Sequence, residues 1–152
     1  RTILVEGDGG FSQNIQEIGT AAANKLNLKI FIYDDNGYAS IRMTQSNYFG
    51  GRYVGCDGAT GLGLPHWAKL FSAWDVPTMN LKPGFENDAV FKKAFSDKGP
   101  AAFIVPVDPK QTYFPKITSR VTETGGMVSN PLHRMSPDLD AALTAKVAKY
   151  LA

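Results

Sequence analysis

Two apolar runs, each followed by an acidic, glycine-containing turn, constrain the fold of this chain most. The run Thr2-Ile3-Leu4-Val5 leads into Gly-Asp-Gly-Gly at residues 7–10, and the run 28–33 leads into Asp-Asp-Asn-Gly. Continuous apolar runs of this length are typical of strands buried on both faces of a parallel sheet. Between them, apolar residues recur at steps of three and four, which predicts one helix with a single apolar face. These residues are Phe11, Ile15, Ile18, Ala22 and Leu26.

The order of elements is therefore strand, helix, strand. A crossover of this kind joins parallel strands and is almost always right-handed, so both turns are expected at the same edge of the sheet. Asp8 and Asn36 lie 28 residues apart in the chain. We expect the fold to bring them together.

Strands and helices continue to alternate after the second turn, which predicts an α/β fold with three layers and a four-stranded parallel core. The six glycines between Phe49 and Gly63 predict a long surface loop, a kind of segment that often covers a site. The other predicted elements are helices at 39–46, 65–73 and 87–95 and strands at 77–81 and 101–107.

The C-terminal part of the sequence has a different character. Residues 108–137 show no clear period and contain four prolines, which predicts an extended tail. Leucine or valine then recurs every four residues within 138–152, which predicts a helix capped by Ser136 or Asp138. We therefore expect two parts, an α/β domain at 1–107 and a tail with a terminal helix at 108–152.

The first predicted strand begins almost at the first residue. Chain ends are usually exposed, so a core strand here predicts that further sequence precedes it and that the domain is truncated at its N-terminus. An exposed sheet edge or apolar patch, of the kind that recruits partners, is then expected beside this strand.

Composition excludes several classes of protein. The net charge of +2 is far below that of a typical nucleic-acid-binding domain. Apolar runs such as Ala101–Val107 are too short to cross a bilayer, and no signal segment opens the sequence. The single cysteine, Cys56, has no partner for an internal disulfide, and the sequence has no Asn-X-Ser/Thr acceptor, so a cytoplasmic location is expected.

Common site motifs are also excluded by their spacing. The dinucleotide fingerprint begun at Gly7 fails at Ser12, and no Gly-Lys-Ser/Thr of a P-loop occurs. Residues 34–37 place their glycine too early for a calcium-binding EF-hand. His66 and His133 are far apart and have no neighbouring cysteine or histidine, so surface or core roles are favoured over zinc binding.

Each acidic sequence alone predicts only a turn. The two together, at this spacing, form a specific motif. The order of strand, GDGG, amphipathic helix, strand and DNGY closely resembles the binding motif of thiamine-diphosphate enzymes. GDGGFSQNIQEIGTAA and KIFIYDDNGYASIR are similar to the cofactor-binding domain of the acetolactate synthase large-subunit group. The resemblance continues through GLGLPHWAKLFSAWDVP and AAFIVPVD, and the tail segments PKITSR and MVSNPLHRM resemble less well-defined synthase-like members.

The resemblance implies thiamine diphosphate and Mg²⁺ as cofactors. A diphosphate is held by backbone N–H groups at a helix start and by a bridging cation with oxygen ligands. The metal ligands implied are the Asp8 carboxylate, the Asn36 side-chain oxygen and the backbone carbonyl of Tyr38, with Gly7, Gly9, Gly10 and Gly37 completing the cofactor-binding set. The sequence departs at Asp35, where many relatives have Asn; this change leaves the ligand Asn36 intact but adds negative charge beside it.

No catalytic acid or base is assigned within this chain. In the resembling family, a glutamate that activates the cofactor comes from a separate pyrimidine-binding domain, usually across a homodimer, and the substrates are 2-keto acids. Glu17 follows the phosphate loop and does not correspond to that glutamate. The expected partners are thus that domain and a 2-keto acid, without nucleic acid or membrane.

Two classes of function remain open on the sequence. The favoured one is the diphosphate- and Mg²⁺-binding domain of an acetolactate-synthase-like carboligase or lyase, inactive as an isolated fragment. The alternative is a non-catalytic binding or scaffold module that keeps the fold without the cofactor. The presence of both Asp8 and Asn36 argues for the first.

Overall fold

A computed structural model of the protein describes residues 1–112 and 114–150. The chain divides into two compact units, Arg1–Pro109 and Lys110–Ala152. In the part of the chain described, no helix is long and apolar enough to cross a membrane.

A four-stranded parallel sheet forms the centre of the first unit. Its strands are β1 (Thr2–Gly7), β2 (Leu28–Asp34), β3 (Thr78–Asn80) and β4 (Ala101–Pro106). They lie in the order β1-β2-β4-β3, so β4, the last of these four strands along the chain, inserts between β2 and β3. The predicted four-stranded parallel core is confirmed.

Helices cover both faces of this sheet, as the predicted three layers require. The helices are α1 (Asp8–Phe11), α2 (Glu17–Ala23), α3 (Ala39–Tyr48), α4 (Trp67–Ser72) and α5 (Ala89–Ser96). On one face, aromatic and aliphatic side chains of α1, α2 and α4 pack against β2 and β4: Phe11, Ile18, Trp67 and Phe71 on Ile30, Ile32, Ala102 and Ile104. On the other face, Phe91 of α5 packs on Phe103 of β4.

The second face is covered over only part of its width. Successive side chains of a strand point to opposite faces. Leu4 of β1 packs against the first cluster. Its neighbours Ile3 and Val5 are each 53% exposed, and Tyr33 of β2 is also exposed. The expected apolar patch beside the edge strand is therefore present.

The helix predicted over residues 11–26 is wrong in its bounds and continuity. The chain turns into α1 already at Asp8, continues as a 3₁₀ turn at Ser12–Asn14, and resumes as α2. The Ser12 hydroxyl donates to the Gly9 carbonyl at 2.8 Å, and side-chain bonds of this kind compete with regular helix. Leu26 lies beyond α2 and is exposed, because Lys25 takes a positive φ and redirects the chain.

The other elements of the first unit follow the predicted order with shifted ends. The helix α3 extends two residues beyond the predicted end, while α4, α5 and β3 are shorter than predicted. The predicted loop between Phe49 and Gly63 contains one 3₁₀ turn at Gly58–Thr60.

The second unit contains short strands where an extended tail was predicted. The strands β5 (Lys116–Ile117) and β8 (Met135–Ser136) pair antiparallel, as do β6 (Ser119–Val121) and β7 (Met127–Ser129). The terminal helix α6 spans Ala141–Ala148. Its cap is Asp140, whose side chain accepts from the Leu143 N–H at 2.8 Å, rather than Ser136 or Asp138. Residues 151 and 152 of the predicted helix lie outside the described residues.

A buried lysine joins the central strand β2 to the end of α5. Lys29 is 0% exposed, and its Nζ donates to the carbonyl oxygens of Asp97 at 2.7 Å and Gly99 at 2.6 Å. Burial lowers the pKa of this ammonium group, and the nearby Arg1 charge lowers it further. These two carbonyls lie just after the end of α5, where the helix no longer provides backbone N–H donors, and Lys29 donates to them instead.

We predict that Lys29→Met lowers the free energy of unfolding by about 1–3 kcal/mol, because the carbonyls of Asp97 and Gly99 lose the donor that the buried Lys29 supplies. Chemical denaturation of the chain and of the variant measures the difference. Lys92→Met is the matched control, since Lys92 lies exposed on α5, and should change stability by less than about 0.5 kcal/mol. Equal stability of Lys29→Met and the unaltered chain would contradict this account.

Candidate functional site

The two acidic turns meet at the carboxyl ends of β1 and β2, as the parallel topology predicts. Gly7 lies opposite Tyr33 in the register of the two strands, so the turns leave the sheet at the same level. The Asp8 carboxylate accepts hydrogen bonds from the Gly37 N–H at 3.0 Å and from the Gly9 N–H at 2.6 Å. The structure thus places Asp8 against the peptide bond that links Asn36 to Gly37.

The Asp8 side chain is buried at this junction. It is 1% exposed, and none of the ion pairs between described residues involves it. Burial is the main cause that raises the pKa of Asp8 to about 6; the N–H groups of Gly37 and Gly9 oppose the rise, and the charge of Asp35 adds to it. The raised pKa shows that negative charge at Asp8 is disfavoured in this environment, and a nearby cation would favour it.

The aromatic ring of Tyr38, in the second turn, packs against Gly9 in the first. It lies so close to Gly9 that a Cβ at that position would overlap the ring. A Cβ on Gly10 would in turn lie 2.5 Å from Oε1 of Glu6, which accepts the Gly7 N–H at 3.0 Å. Glycine is therefore required at residue 9 by the approach of Tyr38.

Asn36 and Tyr38 occupy the second turn in different ways. Asn36 is exposed and takes a φ of 62°, the left-handed conformation that asparagine tolerates better than most residues. The Tyr38 carbonyl begins α3 by accepting the Arg42 N–H at 2.9 Å. A carbonyl oxygen has two lone pairs, so this bond leaves one for another partner.

The donor set fits a hard divalent cation. A carboxylate, an amide oxygen and a backbone carbonyl are the ligand types that Mg²⁺ accepts, the remaining positions being filled by phosphate and water. Asp8 supplies the only charge among these three groups. In the described part of the chain, no group of three or more His, Cys, Asp or Glu side chains is placed to hold a metal ion.

A pocket of about 360 Å³ opens beside the second turn. Asn36, Asp34 at the end of β2 and Asn80 at the end of β3 border it, together with His66 and Trp67 at the start of α4. Crevices at the carboxyl ends of parallel strands are the usual ligand sites of open α/β sheets. A larger groove of about 930 Å³, lined by Trp74 and Pro77 among others, includes none of the predicted site residues.

Sequence reasoning missed the loop that holds the second turn. The Cys56 carbonyl accepts the Tyr38 N–H at 2.8 Å, and Asp57 forms a bridge with Gly37. Asp57 is fixed in turn by Thr60, because its carboxylate accepts the Thr60 N–H at 3.0 Å. Asp57 and Thr60 form a capping box in the structure, but the sequence signature of that motif has Glu or Gln in the place of Thr60, so it gave no signal here.

Sequence reasoning also missed Arg42, in the first turn of α3. Its guanidinium group pairs with Asp35 at 2.8 Å and approaches Asp57 at 3.8 Å. Asp35 and Arg42 are seven residues apart, with a turn and a helix start between them, so no helical spacing links them. Asp57 lies on a loop whose path the sequence does not specify.

Comparison with known proteins gives one family and several relatives. The sequence profile of the family described as "Thiamine pyrophosphate enzyme, C-terminal TPP binding domain" matches residues 1–105. The chain is 30% identical over 115 residues to an acetolactate synthase of Arthrospira platensis, which covers 74% of this chain and 19% of that protein. It is 26% identical to the large subunit of acetolactate synthase isozyme 2 of Escherichia coli, covering 76% of this chain and 20% of that protein.

Among solved structures, a benzoylformate decarboxylase from Polynucleobacter necessarius has a similar fold. It superposes with a TM-score of 0.61 at 19% identity, over 72% of this chain and 20% of the other. The chain thus spans about a fifth of the length of the proteins it matches. The α/β fold expected from the sequence is confirmed by this likeness.

We predict that Gly37→Ala disrupts the second turn, because a Cβ there would overlap the Cys56 carbonyl and Gly37 has a φ of 156°. The free energy of unfolding should fall by about 1–3 kcal/mol, as measured by urea denaturation. The control is Gly63→Ala, where a Cβ meets nothing within 4 Å; it should change stability by less than about 1 kcal/mol. A similar, small effect for both variants would show that Cys56 does not hold the turn.

Proposed function

The chain belongs to the thiamine pyrophosphate enzymes, as their C-terminal TPP-binding domain, and from this premise we propose that it holds thiamine diphosphate through a magnesium ion at Asp8, Asn36 and Tyr38. The observation that carries the proposal is the buried Asp8 carboxylate, bonded to the Gly37 N–H but paired with no cation among the described residues. A divalent ion would offset that buried charge and at the same time attract a diphosphate.

The residues of the two turns have different proposed roles in binding the metal ion and the diphosphate. Asp8 supplies the charged ligand, the Asn36 amide oxygen a neutral one and the free lone pair of the Tyr38 carbonyl a third. Gly9, Gly10 and Gly37 allow neighbouring groups of the protein to pack closely against the two turns, while a Cβ on Gly7 would meet nothing within 4 Å. We propose that these four glycines leave the backbone of the turns free to approach the diphosphate. When bound, the cofactor supplies the carbon nucleophile that adds to a 2-keto acid.

The proposed activity of the protein that contains this domain is decarboxylation and carboligation of 2-keto acids, of the acetolactate synthase type. The similarity to acetolactate synthases over 74% and 76% of the chain supports this reaction class. The activating carboxylate would come from a pyrimidine-binding domain, across a homodimer, and the compartment would be the cytoplasm. No acid or base of this chain is assigned to the chemistry.

We predict that Asp8→Ala abolishes the magnesium-dependent binding of thiamine diphosphate, because the only charged ligand is removed. Isothermal titration with thiamine diphosphate in the presence of Mg²⁺, in the complete enzyme, measures the affinity. Asp8→Asn keeps a side-chain oxygen for the Gly37 N–H and removes the charge. It should weaken binding at least tenfold while far-UV circular dichroism stays unchanged.

Glu17→Ala is the control for these variants, since Glu17 is an exposed acidic residue in the first turn of α2. It should bind the cofactor as the unaltered protein does. Unchanged affinity of Asp8→Asn would remove Asp8 from the metal site and with it the basis of the proposal.

We also predict that residues 1–152 alone release no carbon dioxide from pyruvate, even with saturating thiamine diphosphate and Mg²⁺. A reacting centre needs both the positioned diphosphate and an activating acid or base, and we propose that this chain provides only the first. Activity should appear when the pyrimidine-binding domain is supplied. Steady carbon dioxide release from the purified chain, lost in Asp8→Ala, would show that this division of the active site is wrong.

A further inference from the structure

Arg42 lies between two carboxylates at the second turn. Its Nη2 is 2.8 Å from Oδ1 of Asp35 and donates to the Asp35 carbonyl at 3.3 Å, while its Nη1 is 3.8 Å from Oδ2 of Asp57. The side chains of Arg42 and Asp35 are only 15% and 14% exposed. Charges so far removed from water interact more strongly than surface charges.

Both carboxylates belong to the frame of the proposed metal site. Asp35 directly precedes Asn36, and Asp57 forms the bridge with Gly37. The charge of Asp35 is felt at Asp8, where it contributes to the raised pKa. An unpaired Asp35 would therefore place a negative charge beside the position of an incoming diphosphate.

One nitrogen of the Arg42 side chain makes no hydrogen bond within the described residues. Its Nε is buried and has no hydrogen-bond partner among the described residues. A buried donor without an acceptor destabilises a fold. The contacts of the guanidinium group are therefore those of its two terminal nitrogens, with Asp35 and Asp57.

We infer that Arg42 is a positioning residue for the diphosphate: by pairing with Asp35 it cancels the negative charge that this sequence carries beside Asn36, and so keeps the site open to an anion. The inference rests on the proposed function and adds to it the residue pair that controls anion affinity.

A purely structural role for Arg42 makes a different prediction. If Arg42 only braces the turn against Asp57, its loss weakens binding whether or not Asp35 is charged. If it cancels the charge of Asp35, removing that charge as well restores binding. A double-mutant cycle between the two residues distinguishes these roles.

The test measures binding of thiamine diphosphate with Mg²⁺ by isothermal titration to the complete enzyme, with this chain unaltered or in four variants, at low ionic strength. Arg42→Met should weaken binding at least tenfold, and Asp35→Asn should bind as tightly as the unaltered chain or more tightly. The double variant Arg42→Met with Asp35→Asn should return to within threefold of the unaltered chain. Arg52→Met, which removes an exposed arginine, should leave binding unchanged.

Inorganic pyrophosphate with Mg²⁺ is the second probe, because it carries the diphosphate charge without the rest of the cofactor. The same order of affinities is expected for it. Should Arg42→Met fail to fold, Arg42→Gln removes the charge and keeps a donor for the Asp35 carbonyl, and its folding is checked by circular dichroism.

The outcomes separate this inference from the proposed function. If the unaltered chain binds neither probe within the complete enzyme, the proposed function fails. If it binds and Asp8→Asn does not, while Arg42→Met binds like the unaltered chain, the inference alone is overturned. A double variant as weak as Arg42→Met overturns it too, since the charge of Asp35 would then not be the cause.

Discussion

The hydrogen bond from the Gly37 N–H to the Asp8 carboxylate is the contact on which the candidate site depends. It connects two turns that are far apart in the chain, and it forms because β1 and β2 are parallel and in a register that ends both at one level. The bond has a second effect, because it draws a charged side chain into a buried position. The topology of the sheet thus creates both the meeting point of the two turns and the buried carboxyl group at it.

Negative charge is concentrated around this meeting point. Asp8, Asp34, Asp35 and Asp57 all lie on or beside the two turns, and the ion pairs described at this edge come from one arginine. Arg42 offsets Asp35 and, more distantly, Asp57, whereas Asp8 and Asp34 have no ion pair among the described residues. Asp35, after β2, is thus paired within the protein, whereas Asp8, after β1, is the residue that we propose to bind a cation.

Much of the sheet and half of the site could be predicted from sequence because their signals are local. Apolar runs mark β1, β2 and β4, and parallel topology alone brings Asp8 to residues 36 and 37. The break between α1 and α2 was not predictable from apolar spacing, since Phe11 and Ile18 still reach the core on either side of it.

Interactions that depend on the path of a loop were beyond sequence reasoning. The contact of Tyr38 with Cys56 and the approach of Arg42 to Asp57 exist only because the segment after α3 returns to the second turn. No period in the sequence encodes that return. The strands of the second unit are two or three residues long, too short for an alternating pattern to be visible.

The insertion of β4 between β2 and β3 sets an order for assembly during synthesis on a ribosome. The strand β3 pairs with β4, and β4 also pairs with β2, so β3 is not joined to the rest of the sheet until Ala101–Pro106 have left the exit tunnel. Until then the nascent chain holds a β1-β2 pair whose inner edge at β2 is open. An unpaired strand edge of this kind is prone to aggregation, so the risk is greatest before β4 is available.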